Sequence, residues 1–186
     1  SYTLKEVTDK RPNSFSTCTG IVISNQHILT AAHCLPEGNQ IGKLIVEIHF
    51  TTDTTEPDEQ HVMAYAIKMK EHEEYHLGKR SHFDLAVLKI SKPIPEGYEP
   101  VAILPAAVEL EAGDTVVALG FGLKNDSPKI DSTTLNKVIG VPVLEDQGTQ
   151  ILLDQTKGKG ICNGDSGGPT FFYYQGKHYL LGINES

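Results

Sequence analysis

Ser166 sits in the run Gly164-Asp165-Ser166-Gly167-Gly168-Pro169, whose residue types suit nucleophilic chemistry. A serine hydroxyl attacks a carbonyl only when a base takes its proton and donors stabilise the oxyanion that forms. Glycines on both sides let the backbone turn tightly and bring its N–H groups near a substrate carbonyl. An acid directly before the serine can anchor such a loop by pairing with a buried cation. A base is available in Thr30-Ala31-Ala32-His33-Cys34, which follows the apolar segment Ile28-Leu29. A carboxylate is available in Asp84, which opens the apolar run Leu85 to Ile90. Hydroxyl, imidazole and carboxylate are groups that acyl transfer can use together. Taken singly, each segment has a plainer reading: a glycine-rich turn, a surface histidine, a solvated aspartate.

Two further clusters offer other chemistry. His72-Glu73-Glu74-Tyr75-His76 satisfies H-E-x-x-H, in which two histidines on one helical face hold zinc and the glutamate is the base. The residues before it alternate like a strand and Gly78 follows almost at once, so a helix long enough to carry the pair is not expected. Asp53, Glu56, Asp58 and Glu59 form an acidic loop that could hold calcium, although their spacing suits a solvated loop better. No metal and no cofactor is expected.

The elements that must position these groups read as β throughout. Ile21-Val22-Ile23 and Ile28-Leu29-Thr30 flank the turn-prone Ser24-Asn25, and Leu44 to Phe50 is a longer strand. Met63, Tyr65, Ile67 and Met69 alternate with Ala64, Ala66, Lys68 and Lys70, the period of a half-buried strand. Leu85 to Ile90 closes this first set. Pro93, Pro95, Pro100 and Pro105 mark a connector, after which Thr115–Leu119, Val138–Leu144, Ile151–Leu153, Thr170–Tyr174 and Tyr179–Ile183 form a second set. The expected fold is all-β: two small antiparallel barrels, residues 1–92 and 113–186, joined by residues 93–112. The 186 residues suffice for this, and a net charge of −8 argues against a nucleic-acid partner. No apolar run approaches the roughly 20 residues that a membrane helix needs.

With these segments in view, the chain resembles the trypsin/chymotrypsin-like serine endopeptidases. Gly-Asp-Ser-Gly-Gly-Pro is that family's nucleophile motif and Thr-Ala-Ala-His-Cys resembles its general-base motif. Phe83-Asp84-Leu85-Ala86-Val87-Leu88-Lys89 is similar to its Asn-Asp-Ile-Ala-Leu-Leu-Lys, with Phe83 in place of asparagine. The order His, Asp, Ser along the chain is also the family's. His72-Glu73-Glu74-Tyr75, Gly120-Phe121-Gly122, Val141-Pro142-Val143 and Gly182-Ile183 extend the likeness over most of the chain. The resemblance implies two six-stranded-type barrels packed face to face, the second incomplete here. It implies His33, Asp84 and Ser166 as the triad and the N–H groups of Gly164 and Ser166 as the oxyanion hole. Asp165 would accept the ammonium created when the zymogen is cut. It also implies a Cys18–Cys34 disulfide, against the alternative of two buried thiols, and hence an oxidising, secreted or periplasmic setting. Protein or peptide substrates, an activating protease and protein inhibitors are the implied partners of a monomeric enzyme.

Four departures set further expectations. Residue 1 is not an Ile-Val-Gly-Gly-type terminus, so the sequence is expected to lack N-terminal residues. The relatives run on past Ser186, and the partner of Cys162 is expected in that stretch. Glu185, or Ser186 after a one-residue insertion, takes the place of a serine that bonds the catalytic aspartate; a carboxylate there would repel Asp84. By the resemblance Gly160 stands at the floor of the primary pocket. No strong Lys/Arg preference is therefore expected unless a carboxylate comes from residues not in this sequence, and apolar or other side chains are expected instead. The rival reading is a protease-like binding protein or an inactive zymogen-like form, in either case without turnover; a metallopeptidase stands further off.

Overall fold

Valine and isoleucine dominate the short apolar runs, and in the computed structural model of the chain those runs are strands. The structure describes residues 2–6, 15–35, 44–55, 62–75, 82–126, 129–130 and 132–185. Glu56, Asp58, Glu59, His76 and Ser186 lie outside the described residues. No α-helix occurs among those described; the one helical element is a single 3₁₀ turn at Ala32–Cys34.

The first sheet is antiparallel and seven-stranded, in the order β2 (Phe15–Cys18), β1 (Tyr2–Glu6), β5 (Leu44–Phe50), β6 (Val62–Glu71), β7 (Ala86–Ile90), β4 (His27–Thr30), β3 (Ile21–Ser24). The second has five strands, in the order β12 (Ile151–Leu153), β11 (Asn136–Asp146), β8 (Thr115–Gly120), β13 (Pro169–Tyr174), β14 (Lys177–Ile183). A small hairpin, β9 (Asn125–Asp126) with β10 (Lys129–Ile130), stands apart from both. Each sheet carries its own hydrophobic cluster. Ile28 of β4 lies directly opposite Leu88 of β7, and with Ile90 they are almost wholly buried. Burying such a side chain contributes about 1.5–3 kcal/mol. Val116, Val141 and Val143 centre the second, smaller core.

The alternation along β6 is real but its inner face changes. Ala64 and Ala66 point inward while Tyr65 and Ile67 are exposed. A register shift between Ala66 and Lys68 then inserts one residue, and Met69 joins the packed side. A bulge shifts the two-residue period by one, so residues that share a parity can lie on opposite faces.

The proline-rich connector laces the two sheets together. Val101 N–H donates to Val22 C=O of the first sheet, at 3.0 Å. Leu104 N–H donates to Leu180 C=O at 2.9 Å, and Leu180 N–H donates to Ala102 C=O at 2.7 Å, in the second. An extended segment can satisfy its backbone groups at two sheet edges in this way, since prolines leave few N–H groups to place. A second seam joins residues 52–54 to 133–135, where Thr54 N–H meets Thr133 C=O and Leu135 N–H meets Thr52 C=O.

Candidate active site

β4 ends at Thr30, and the chain turns at once into the 3₁₀ turn that carries His33. Ala31 and Ala32 are fully buried, so small side chains are required for the turn to pack this closely. Cys34, the last residue of the turn, is bonded to Cys18 at the end of β2. Closing a loop of 16 positions stabilises by about 3 kcal/mol, and here the bridge also fixes the turn that presents the imidazole. Cys162, half-buried, stands outside this bridge.

Asp84 is 7% exposed and spends both carboxylate oxygens on one residue. Oδ1 accepts the His33 backbone N–H at 2.8 Å. Oδ2 lies 2.5 Å from His33 Nδ1. A carboxylate only accepts, so the proton of that second bond belongs to Nδ1 and the lone pair of the neutral ring is left on Nε2. His33 has its pKa raised, first by the hydrogen bond to Asp84; burial opposes this, and the charges of Asp84 and then Glu185 add to it. Glu185 also has a raised pKa, mainly through burial and then through the charge of Asp84; His33, a hydrogen bond from Gln150 and His82 pull it back. Glu185 therefore sits within electrostatic reach of the His33–Asp84 pair.

The aim of Asp84 depends on strain one residue earlier. Phe83 has φ of +66°, a left-handed conformation that a bulky aromatic rarely adopts. Its ring stacks on His72, with centroids 4.6 Å apart and planes 8° from parallel. His72 N–H donates to Leu85 C=O at 2.8 Å, and Leu85 N–H donates to Phe83 C=O at 2.7 Å. His72–Tyr75 form a turn after β6, not a helix.

Ser166 is 4% exposed, in a loop fastened on several sides. Gly167 N–H donates to Asn184 C=O and Asn184 N–H donates to Gly168 C=O, at 2.9 and 2.8 Å. Gly167 has φ of +78°, and a Cβ there would stand 2.2 Å from Thr30 Oγ1 and 2.4 Å from Thr19 C=O. Only glycine lets the serine loop lie on the end of β4, the strand that leads into the turn carrying His33. Asp165 turns away from this face. Its Oδ1 accepts Gly122 N–H and its Oδ2 accepts Cys162 N–H, both at 2.8 Å. A Cβ on Gly120 or Gly122 would fall 2.1 or 2.6 Å from its carboxylate. A cavity of about 250 Å³ opens beside it, lined among others by Gly120, Gly122, Asn136, Lys137 and Asn184. Gly160, also on that wall, is covered by the Gln155 side chain, whose Oε1 accepts Ile161 N–H at 2.5 Å.

The structure thus brings His33 and Asp84 into direct contact, joins Cys18 to Cys34, and docks the Ser166 loop against β4. Among the described residues, the one group of His, Cys and acidic side chains close enough to hold a metal is Cys18, His33 and Cys34. Its sulfurs are joined in the disulfide, so they are not available as thiolate ligands. Sequence reasoning missed Thr19, Asn184 and Gln155. Asn184 is almost fully buried and clamps Thr170 Oγ1 and Leu119 C=O with its amide, at 2.6 and 3.0 Å. Its one visible signal was a polar residue ending an apolar strand.

A sequence model of the Trypsin family matches residues 6–186. Brachyurin from Leptuca pugilator is 30% identical over 162 residues, covering 82% of this chain and 69% of that protein. CLIP domain-containing serine protease B4 from Anopheles gambiae is 30% identical over 192 residues, covering 89% of this chain and 53% of that protein.

Proposed function

Because the chain belongs to the trypsin family of serine proteases, we propose that it is an endopeptidase that cleaves peptide bonds through an acyl-enzyme on Ser166. The observation that carries this reading is the pair of hydrogen bonds that Asp84 accepts from His33, which leaves Nε2 as the basic atom. Nε2 takes the Ser166 proton as Oγ attacks the scissile carbonyl, then returns it to the leaving amine. Asp84 holds the ring in that tautomer and stabilises the imidazolium as it forms. The N–H groups of Gly164 and Ser166 receive the oxyanion. Water, activated in turn by His33, releases the acid product.

Other features support the surrounding parts of the proposal. Asp165 accepts the ammonium of a newly cut N-terminus, for which the neighbouring cavity of about 250 Å³ offers room. Gly160 forms the floor of the specificity pocket; with a neutral Gln155 lying over it, uncharged side chains fit better than lysine or arginine. The chain divides into barrels at residues 1–92 and 113–186 around the connector. The disulfide suits a secreted protein, and no helix among the described residues is long and apolar enough to cross a membrane. Substrates are proteins or peptides, and an upstream protease and protein inhibitors are the expected partners of this monomer.

The test is hydrolysis of an internally quenched peptide library by the processed protein and by its Ser166→Ala variant. Turnover by the first and none by the second is expected. A folded wild type that cleaves nothing would instead favour a protease-like binding protein.

A further inference from the structure

We infer that Thr19 is a positioning residue for the oxyanion-binding backbone, acting through its hydroxyl as well as its main chain; this rests on the endopeptidase reading above. Thr19 is 2% exposed and follows Cys18 at the end of β2. All its polar groups are engaged. Its N–H donates to Ser166 C=O at 2.9 Å. Its Oγ1 donates to Gly164 C=O at 3.2 Å and accepts Phe121 N–H at 3.2 Å. Its C=O accepts the Thr30 hydroxyl at 3.1 Å. The Phe121 N–H occupies a lone pair of Oγ1, so the hydroxyl proton is directed to Gly164.

These bonds fall on alternate peptide planes of the loop. The plane between residues 164 and 165 is held at one edge by Thr19 Oγ1 on the carbonyl and at the other by Asp165 N–H on Cys162 C=O, 3.0 Å. The plane between residues 166 and 167 is held by Thr19 N–H on its carbonyl and by Gly167 N–H on Asn184 C=O. The plane between these two carries the Ser166 N–H, and the plane before them carries the Gly164 N–H. Peptide units are rigid, so fixing alternate planes sets the direction of the donors between and beside them. Gly164, at φ of +95°, has no side chain to restrain its own rotation, and the hydroxyl of Thr19 supplies that restraint from another segment of the chain.

Thr19→Val deletes the hydroxyl and keeps the branched shape, leaving the buried Phe121 N–H and the half-buried Gly164 C=O without that partner. The loss of one such bond at the transition state is expected to lower kcat about ten-fold with KM within two-fold. Affinity for a peptide aldehyde, whose adduct carries an oxyanion, is expected to fall by the same factor. Thr19→Ser restores both. Should Thr19→Val fold poorly, Thr19→Ala makes the same deletion with less bulk. A purely structural role would lower the melting temperature and leave kcat and aldehyde affinity of the folded protein unmoved. An active wild type whose hydroxyl-deleted variant matches its kcat, or whose serine variant fails to recover, overturns this inference alone. A wild type without turnover overturns the endopeptidase reading and this inference with it.

Discussion

Replacing Asp84 by asparagine changes one heavy atom and should remove the base. In the wild type one carboxylate oxygen serves the His33 N–H at 2.8 Å and the other serves Nδ1 at 2.5 Å. An amide has one oxygen and one NH₂. If the oxygen stays on the buried backbone N–H, the NH₂ faces Nδ1 and donates to it. The ring must then carry its proton on Nε2, the atom that should accept from Ser166. The loss expected for such a tautomer change is about 10⁴-fold in kcat at neutral pH, roughly 5.5 kcal/mol of transition-state stabilisation. Folding should suffer far less, by about 1.5–3 kcal/mol at most, since both bonds persist and only their charge assistance is lost. The assay is initial-rate hydrolysis of a peptide cleaved by the wild type, paired with ¹⁵N spectra that show which ring nitrogen of His33 is protonated. An Asp84→Asn variant within ten-fold of the wild-type kcat, or one that keeps its proton on Nδ1, would refute the reasoning.

Further outcomes follow from the same geometry. Because the Asp84 hydrogen bond raises the His33 pKa, the acid limb of kcat/KM should lie above the usual imidazole value of about 6.5, and Glu185→Gln should move that limb to lower pH; pH–rate profiles of both proteins check this. For stability the sign is the reverse: the His33 contribution is complete below the unfolded-state value and fades as pH rises through the raised folded one, which melting temperatures against pH will show. Glu185, raised mainly by burial, is a carboxylate penalised when ionised, so Glu185→Gln should raise the melting temperature at pH 7 and have no such effect in acid. Phe83→Asn should keep kcat within a few fold because asparagine tolerates the left-handed region, whereas Phe83→Val should cost about 1–3 kcal/mol and reduce kcat; kinetics and chemical denaturation of the two variants compare them. Cys34→Ser should lower stability by about 3 kcal/mol in urea titrations run without reductant.

The parts of this molecule that were legible in its sequence are those written in local pattern. Leu44–Phe50 is a strand from end to end, with Val46, Ile48 and Phe50 alternating inward, and Ile151–Leu153 and Ala86–Ile90 stand where their apolar runs put them. β1 and β2 went unread: Tyr2–Glu6 and Phe15–Cys18 have neither an apolar run nor a clear alternation, and their pairing with β5 and with each other is what makes them strands. The site divides in the same way. His33, Asp84 and Ser166 are spelled out by short motifs, but the left-handed Phe83 beside Asp84 is not, since no residue there advertises a positive φ. Thr19 and Asn184 are equally silent, because their roles are hydrogen bonds to residues more than a hundred positions away in the first case and to two separate segments, Leu119 and residues 167–170, in the second.

The central claim is that His33, Asp84 and Ser166 act as one unit. Its most direct test is reaction with a fluorophosphonate followed by peptide mass spectrometry of the modified protein. A single adduct on Ser166, lost in folded His33→Ala, is the outcome this account expects. An adduct elsewhere, or equal labelling of Ser166 with His33 removed, would contradict it.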